Sequence, residues 1–117
     1  MKSVAYEKSF EFAVGIVQVA KELTVKKQYA LANQLIRSGT SVGANLAEAG
    51  YGQTKPDFIS KLSIALKEAV ETSYWLKLLE RTGDITDEKA NHLISQADEI
   101  IRMLTAAVKT AKNNQTD

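Results

Sequence analysis

The sequence predicts an all-α protein, an antiparallel up-down-up-down four-helix bundle, and three observations carry that expectation. Apolar residues recur at spacings of three and four through four segments of similar length. No segment has the two-residue alternation of a half-buried strand. The strongest helix breakers, the lone Pro56 with Gly50, Gly52 and Gly83, fall between the periodic segments. Amphipathic helices joined by short connections pack beside their neighbours in sequence. With 117 residues, 44% of them hydrophobic, the chain is expected to form a single domain, 1–117, around one core.

Helix 1 is predicted over about 5–25, with Phe10, Ala13, Val17, Ala20 and Leu23 on its core face and KKQ at 26–28 ending it. Helix 2, about 29–50, closes at GYG, where glycine can take the left-handed conformation of a helix terminus. Helix 3, about 56–82, opens on Pro56 with Thr54 before it and Asp57 favourably placed against the helix dipole; Gly83 stops it. Its core stripe reads Phe58, Ile59, Leu62, Ala65, Leu66, Ala69, Ser73 and Leu76. Thr86 is the N-cap of helix 4, about 86–112, followed by Asp87 and Glu88 in the first turn. A stripe of Ala90, Leu93, Ile94, Ala97, Ile100, Ile101, Leu104, Ala107, Val108 and Ala111 faces the core, and residues 113–117 are expected to fray.

The stretch SGTSVGANLAEAG, 38–50, raises the possibility of a phosphate-cradling loop. It lacks the Gly-Lys-Ser/Thr ending of a P-loop, does not fit GxGxxG, and has no strand before it. On a helical wheel Ala32, Leu35, Ile36, Gly39, Val42, Gly43, Leu46 and Ala47 share one side, so the glycines face the core. A mid-helix glycine costs about 0.5–1 kcal/mol against alanine, and close approach of a neighbouring helix is the gain that offsets it. The opposite side holds Gln34, Ser38, Ser41 and Asn45, with Arg37 and Glu48 at its edge as the only charges between Tyr29 and Thr54. Small neutral polar groups on an outer face suggest more protein against it. On helix 3 the corresponding oddity is Ile64, Trp75 and Leu78 among Glu68 and Glu71. Ser41, Asn45, Glu48, Ile64, Glu68, Glu71, Trp75 and Leu78 are therefore the candidate interface, against the simpler alternative that both helices bury more than one side within the bundle.

Composition bounds the function. Fifteen Lys+Arg against fourteen Asp+Glu give a net charge of +1, so no global field draws the chain to nucleic acid or an anionic membrane. Without cysteine there is no disulfide, thiolate chemistry or cysteine-ligated zinc. MKSVAYEKSFEF does not read as a signal peptide, and no run approaches the ~18 apolar residues of a membrane span, so a cytoplasmic location is expected. One histidine, His92, and no Glu-x-x-His excludes the di-iron bundle class. Glu68 and Glu71, followed by Asp84 and Asp87, share the spacing of magnesium-binding carboxylates in all-α nucleotide pyrophosphatases, but capping and the dipole already account for the aspartates. No cofactor, metal or small-molecule substrate is expected. Lys26, Lys27, Lys55, Arg102, Lys109 and Lys112 are the candidate phosphate contacts.

The runs IRSGTSVGANLAEAG (36–50) and KPDFISKLSIALKEAVETSYWLKLLE (55–80) resemble the bacterial four-helix-bundle family encoded in intervening sequences of 23S ribosomal RNA genes, and the likeness covers nearly the whole chain. The resemblance implies a bundle that assembles into a ring-like homopentamer. The family is similar to the accessory variability determinant of diversity-generating retroelements, which binds nucleic acid and works with a reverse transcriptase; that relative is strongly basic, whereas this chain is nearly neutral. Ser41, Asn45 and Glu48 match the helix 2 motif, and Glu68, Glu71 and Trp75 the helix 3 motif, with no catalytic role implied. The expectation is a non-enzymatic homo-oligomer associating with nucleic acid or ribonucleoprotein. The alternatives are a protein adaptor and a metal-dependent hydrolase using Glu48, Glu68 and Glu71.

Overall fold

The computed structural model describes residues 3–51 and 54–115. Four helices follow one another, α1 Val4–Val25, α2 Tyr29–Ala49, α3 Lys55–Arg81 and α4 Asp87–Gln115, and each packs on its neighbours in sequence while α1 closes against α4. Among the described residues neither diagonal pair brings its backbones close together, so the helices stand at the corners of a square, in a rod of 51 × 21 × 20 Å, and diagonal helices meet only through core side chains. This is the four-helix bundle expected from the periodicity.

The caps explain the boundaries. Ser3, Thr54 and Thr86 each accept a hydrogen bond from the backbone N–H three residues on, at 3.0, 3.2 and 3.2 Å, satisfying donors that the first turn cannot use. Two helices end in the same way. Gly83 sits at φ 76° after α3, with its N–H on the Glu80 carbonyl at 3.1 Å and that of Asp84 on Leu79 at 2.9 Å. Lys27, at φ 65° after α1, repeats the pattern through Thr24 at 2.9 Å, with Gln28 bonding Leu23 at 2.8 Å. Gly50 does not close α2 with a left-handed residue: its φ is −63°, and Gly52 lies outside the described residues. Nor does α4 fray at residue 113; it continues to Gln115, while 116–117 lie outside the described residues.

Phe12, Ile16 and Leu23 of α1 meet Leu35 and Val42 of α2, Leu76 and Leu79 of α3, and Ile100 and Leu104 of α4 in the core, all fully buried. The glycines of α2 permit this. A Cβ on Gly39 would lie 2.6 Å from Cγ2 of Ile16, whereas one on Gly43 would meet the Ser9 backbone at an ordinary 3.6 Å. The close approach expected of both glycines is thus obligatory at Gly39 alone. Gly15 plays the same part toward α4, where a Cβ would stand 2.7 Å from Leu93.

Several core assignments shift. In α1 the buried face is Ser9, Phe12, Ile16, Val19, Ala20 and Leu23; Ala13 and Val17 are half-buried and Phe10 is 56% exposed. In α2, Ile36 and Ala47 are exposed and Ser38, expected outside, is fully buried. In α3, Phe58 is exposed near the helix start, Leu66 is half-buried, and Glu68 and Thr72 are inside. Each helix occupies a corner and buries an arc toward two neighbours, so a face drawn around one wheel centre is displaced where small residues admit a neighbour.

Candidate interaction surfaces

The residues of the two sequence motifs converge on the seam between α2 and α3. Thr72, fully buried, donates to the Glu68 carbonyl at 2.7 Å and stands 2.9 Å from the buried Ser38 hydroxyl. Over that pair, the Arg37 guanidinium reaches Glu68 at 3.1 Å and also binds Glu71. Trp75 donates its indole N–H to Glu71 at 3.0 Å, and Gln34 accepts from Arg37 at 3.1 Å. Further along, Asn45 donates to the Ser41 carbonyl at 2.8 Å and Glu48 pairs with Lys61 at 2.8 Å. The structure therefore brings Glu68, Glu71 and Trp75 together with Arg37 and sets Ser41, Asn45 and Glu48 farther along the same seam. Glu68 is buried within the chain; Ser41, Asn45, Glu71, Trp75 and Leu78 are half-buried; Glu48 and Ile64 are exposed. A guanidinium holding two carboxylates is the charge-assisted geometry of a helix–helix clasp.

A second surface was not picked out from the sequence. On the outward side of α1, Phe10 and Val14, one turn apart, are 56% and 41% exposed, and Tyr6 stacks obliquely on Phe10 at 6.4 Å. On the adjoining helix Ile36, Ala44 and Ala47 are exposed. No charged residue stands between Glu11 and Lys21, and the two charges of α2, Arg37 and Glu48, are engaged with α3. The face shared by α1 and α2 is consequently apolar at its centre, with the exposed charges Glu7, Glu11 and Lys21 at its border. Its signal in the sequence is that AVGIVQVA, 13–20, is apolar almost all round, a pattern that means burial on more than one side.

The basic candidates do not gather. Lys26 and Lys27 lie in the α1–α2 turn, where the Lys26 ammonium donates to the Asp84 carbonyl at 2.9 Å. Lys55 is at the opposite pole, and Arg102, Lys109 and Lys112 follow one another along α4. The acidic pairs are separated too: Glu68 and Glu71 sit in mid-α3, while Asp84 receives hydrogen bonds from Gln28 and Thr82 in the α3–α4 turn. Among the described residues no three His, Cys, Asp or Glu side chains converge as a metal-holding group, and no helix is long and apolar enough to cross a membrane. His92 is exposed on α4.

Fold and surfaces together define a small antiparallel four-helix bundle with a clasped polar seam and an uncovered apolar face. The chain matches the 23S rRNA-intervening sequence protein family over residues 1–106 and belongs to it. It is similar to a solved protein of unknown function from the S23 ribosomal protein family of Bacteroides thetaiotaomicron VPI-5482, with 47% identity and a TM-score of 0.87, over 91% of this chain and 99% of that one. No curated protein matches the chain.

Proposed function

We propose that the chain is a non-catalytic bundle that works as a cytoplasmic homo-oligomer, packing the α1–α2 face of one copy against the outer side of α3 in the next. The observation that carries this reading is the apolar centre of the α1–α2 face, with Phe10, Val14 and Ile36 open to water. The outer side of α3 supplies a second patch, Ile64, Val70 and Tyr74, flanked by Trp75 and Leu78. A self-complementary contact would cover one patch and leave the other wet, whereas a contact between unlike faces covers both and repeats from copy to copy, into a ring when its rotation closes. Of the candidate interface, Ile64, Trp75 and Leu78 supply the apolar contact, Glu48, Glu68 and Glu71 hold α2 against α3, and Ser41 and Asn45, bonded to each other within α2, complete the rim. The non-catalytic part of the reading is supported by the engagement of Glu48, Glu68 and Glu71 in ion pairs.

Light scattering tests it. The wild type is expected at a mass of about five chains, the number the resemblance implies, at low and high salt alike, because the contact is apolar. Val14→Glu is expected to give single chains. A wild-type monomer at all concentrations would overturn the proposal.

A second reading, association with nucleic acid, is favoured by Arg102, Lys109 and Lys112, which follow one stripe of α4 and form no ion pair among the described residues. A ring would repeat that stripe and raise avidity. Affinity for single-stranded RNA should then fall steeply between low and moderate salt, and binding absent at every ionic strength would remove this reading.

A further inference from the structure

The four helices do not end level at the pole where α1 begins. Lys8 pairs with Glu99 at 3.2 Å, Gly15 lies against Leu93, and Glu22 pairs with Lys89, an antiparallel register that puts Val4 beside residues 103–104 of α4. Since α4 runs to Gln115, about eleven residues, roughly 16 Å at 1.5 Å each, continue beyond α1. The register set by Glu48 on Lys61 ends α2 near the same level, while α3 begins six residues before Lys61, at Lys55. The start of α3 and the last turns of α4 therefore project together, and among the described residues no helix stands at the other two corners.

A groove of about 990 Å³ occupies the vacant position. Its floor is apolar and includes the buried Leu62 and Leu104. Met103, Ala107 and Ala111 succeed one another at intervals of four along α4, continuing the stripe that α1 covers at Leu93. This is the pattern of a helix face with its partner missing. Alanines on the walls let another backbone come close. Among the described residues, Lys55 is the one charged residue lining the groove, and it forms no ion pair there.

We infer that this groove docks a short amphipathic helix of another protein, acidic beside its apolar stripe, which extends the bundle in line with α1. The apolar floor sets the stripe and the lone ammonium sets the sign of the flanking charge. The groove borders the α1–α2 face at Tyr6 and Ala47, and its assignment does not depend on the self-association proposed there.

The test uses fluorescence anisotropy with a fluorescein-labelled synthetic peptide of about eighteen residues, long enough to hold helical structure. It carries leucine on one face and glutamate on the other, and is compared with the same peptide bearing lysine in place of glutamate. The acidic peptide is expected to bind saturably and about tenfold more tightly than the basic one. Ala107→Glu should weaken it by about tenfold or more, by placing a charge in the apolar groove, and Lys55→Glu should erase the preference for acid. Circular dichroism melts show whether each variant is folded. Absent saturation, equal binding of the two peptides, or indifference to a folded Ala107→Glu variant would overturn the inference. So would a fall in molar mass on Ala107→Glu, which would assign the groove to a second copy of this chain.

Discussion

Two glycines one turn apart on α2 lead to opposite expectations. Gly39→Ala drives a methyl to 2.6 Å from a β-branched core side chain that has no free rotamer, and should cost about 1–3 kcal/mol. Gly43→Ala meets the Ser9 backbone at 3.6 Å and removes the helical penalty of glycine, so it should stabilise by about 0.5–1 kcal/mol. Urea unfolding of the two variants reads both signs, and a stabilised Gly39→Ala would show that α1 and α2 can separate at no cost. Lys27 gives a third case. It holds the left-handed position that Gly83 holds at the matching helix end, so Lys27→Gly should stabilise by about 0.5–1 kcal/mol while Gly83→Ala destabilises by a similar amount. Ser9 is fully buried with an Oγ that has no hydrogen-bond partner among the described residues, and Ser9→Ala should raise the melting temperature.

Among the elements, α1 shows how two phases compete. Phe10, Ala13 and Val17 make one helical stripe and Phe12, Ile16, Val19 and Leu23 another, because little between Glu11 and Lys21 is polar. Periodicity within the helix satisfies either. The second wins because Ile16 is the residue that fits over Gly39, a contact between residues far apart in sequence. The seam between α2 and α3 carries its own prediction. Arg37→Met removes the guanidinium from Glu68, whose carboxylate is mostly buried, and should cost about 1–2 kcal/mol, moderated by the exposure of Arg37 itself. Adding Glu68→Met to that variant should recover most of the loss in a double-mutant cycle, since the buried carboxylate is then gone, and the more exposed Glu71 still accepts from the Trp75 indole N–H. If the double variant is as unstable as the single, the clasp is not what the ion pair contributes.

For the whole molecule, contact between unlike faces makes a prediction that self-complementary contact does not. Val14→Glu blocks the α1–α2 face and Ile64→Glu blocks α3, so each variant alone should remain single. Mixed, they retain one intact face of each kind and should form a one-to-one pair, detectable as a doubled mass in light scattering. Failure of the mixture to pair, with the wild type still oligomeric, would mean that copies meet through the same face twice.

The amino-acid order by itself determined the number and extent of the helices, the caps at Thr54 and Thr86, the stop at Gly83 and the glycines of α2 as core residues. All of these rest on interactions within a few residues of chain: caps, backbone dihedral preference and the 3.6-residue period. It also marked Ile64, Trp75 and Leu78 as unusual for a solvated helix. Only the tertiary structure decided which stripe of α1 turns inward, that Ser38 and Thr72 meet in the seam, that Arg37 is the group Glu68 and Glu71 share, and that α4 outruns α1 to leave a groove. Those outcomes depend on the rotation and axial register of each helix against its neighbours, set by steric fit between residues distant in sequence. A periodic pattern specifies that a helix has a buried face, and the shapes of its neighbours then select which face and at what height.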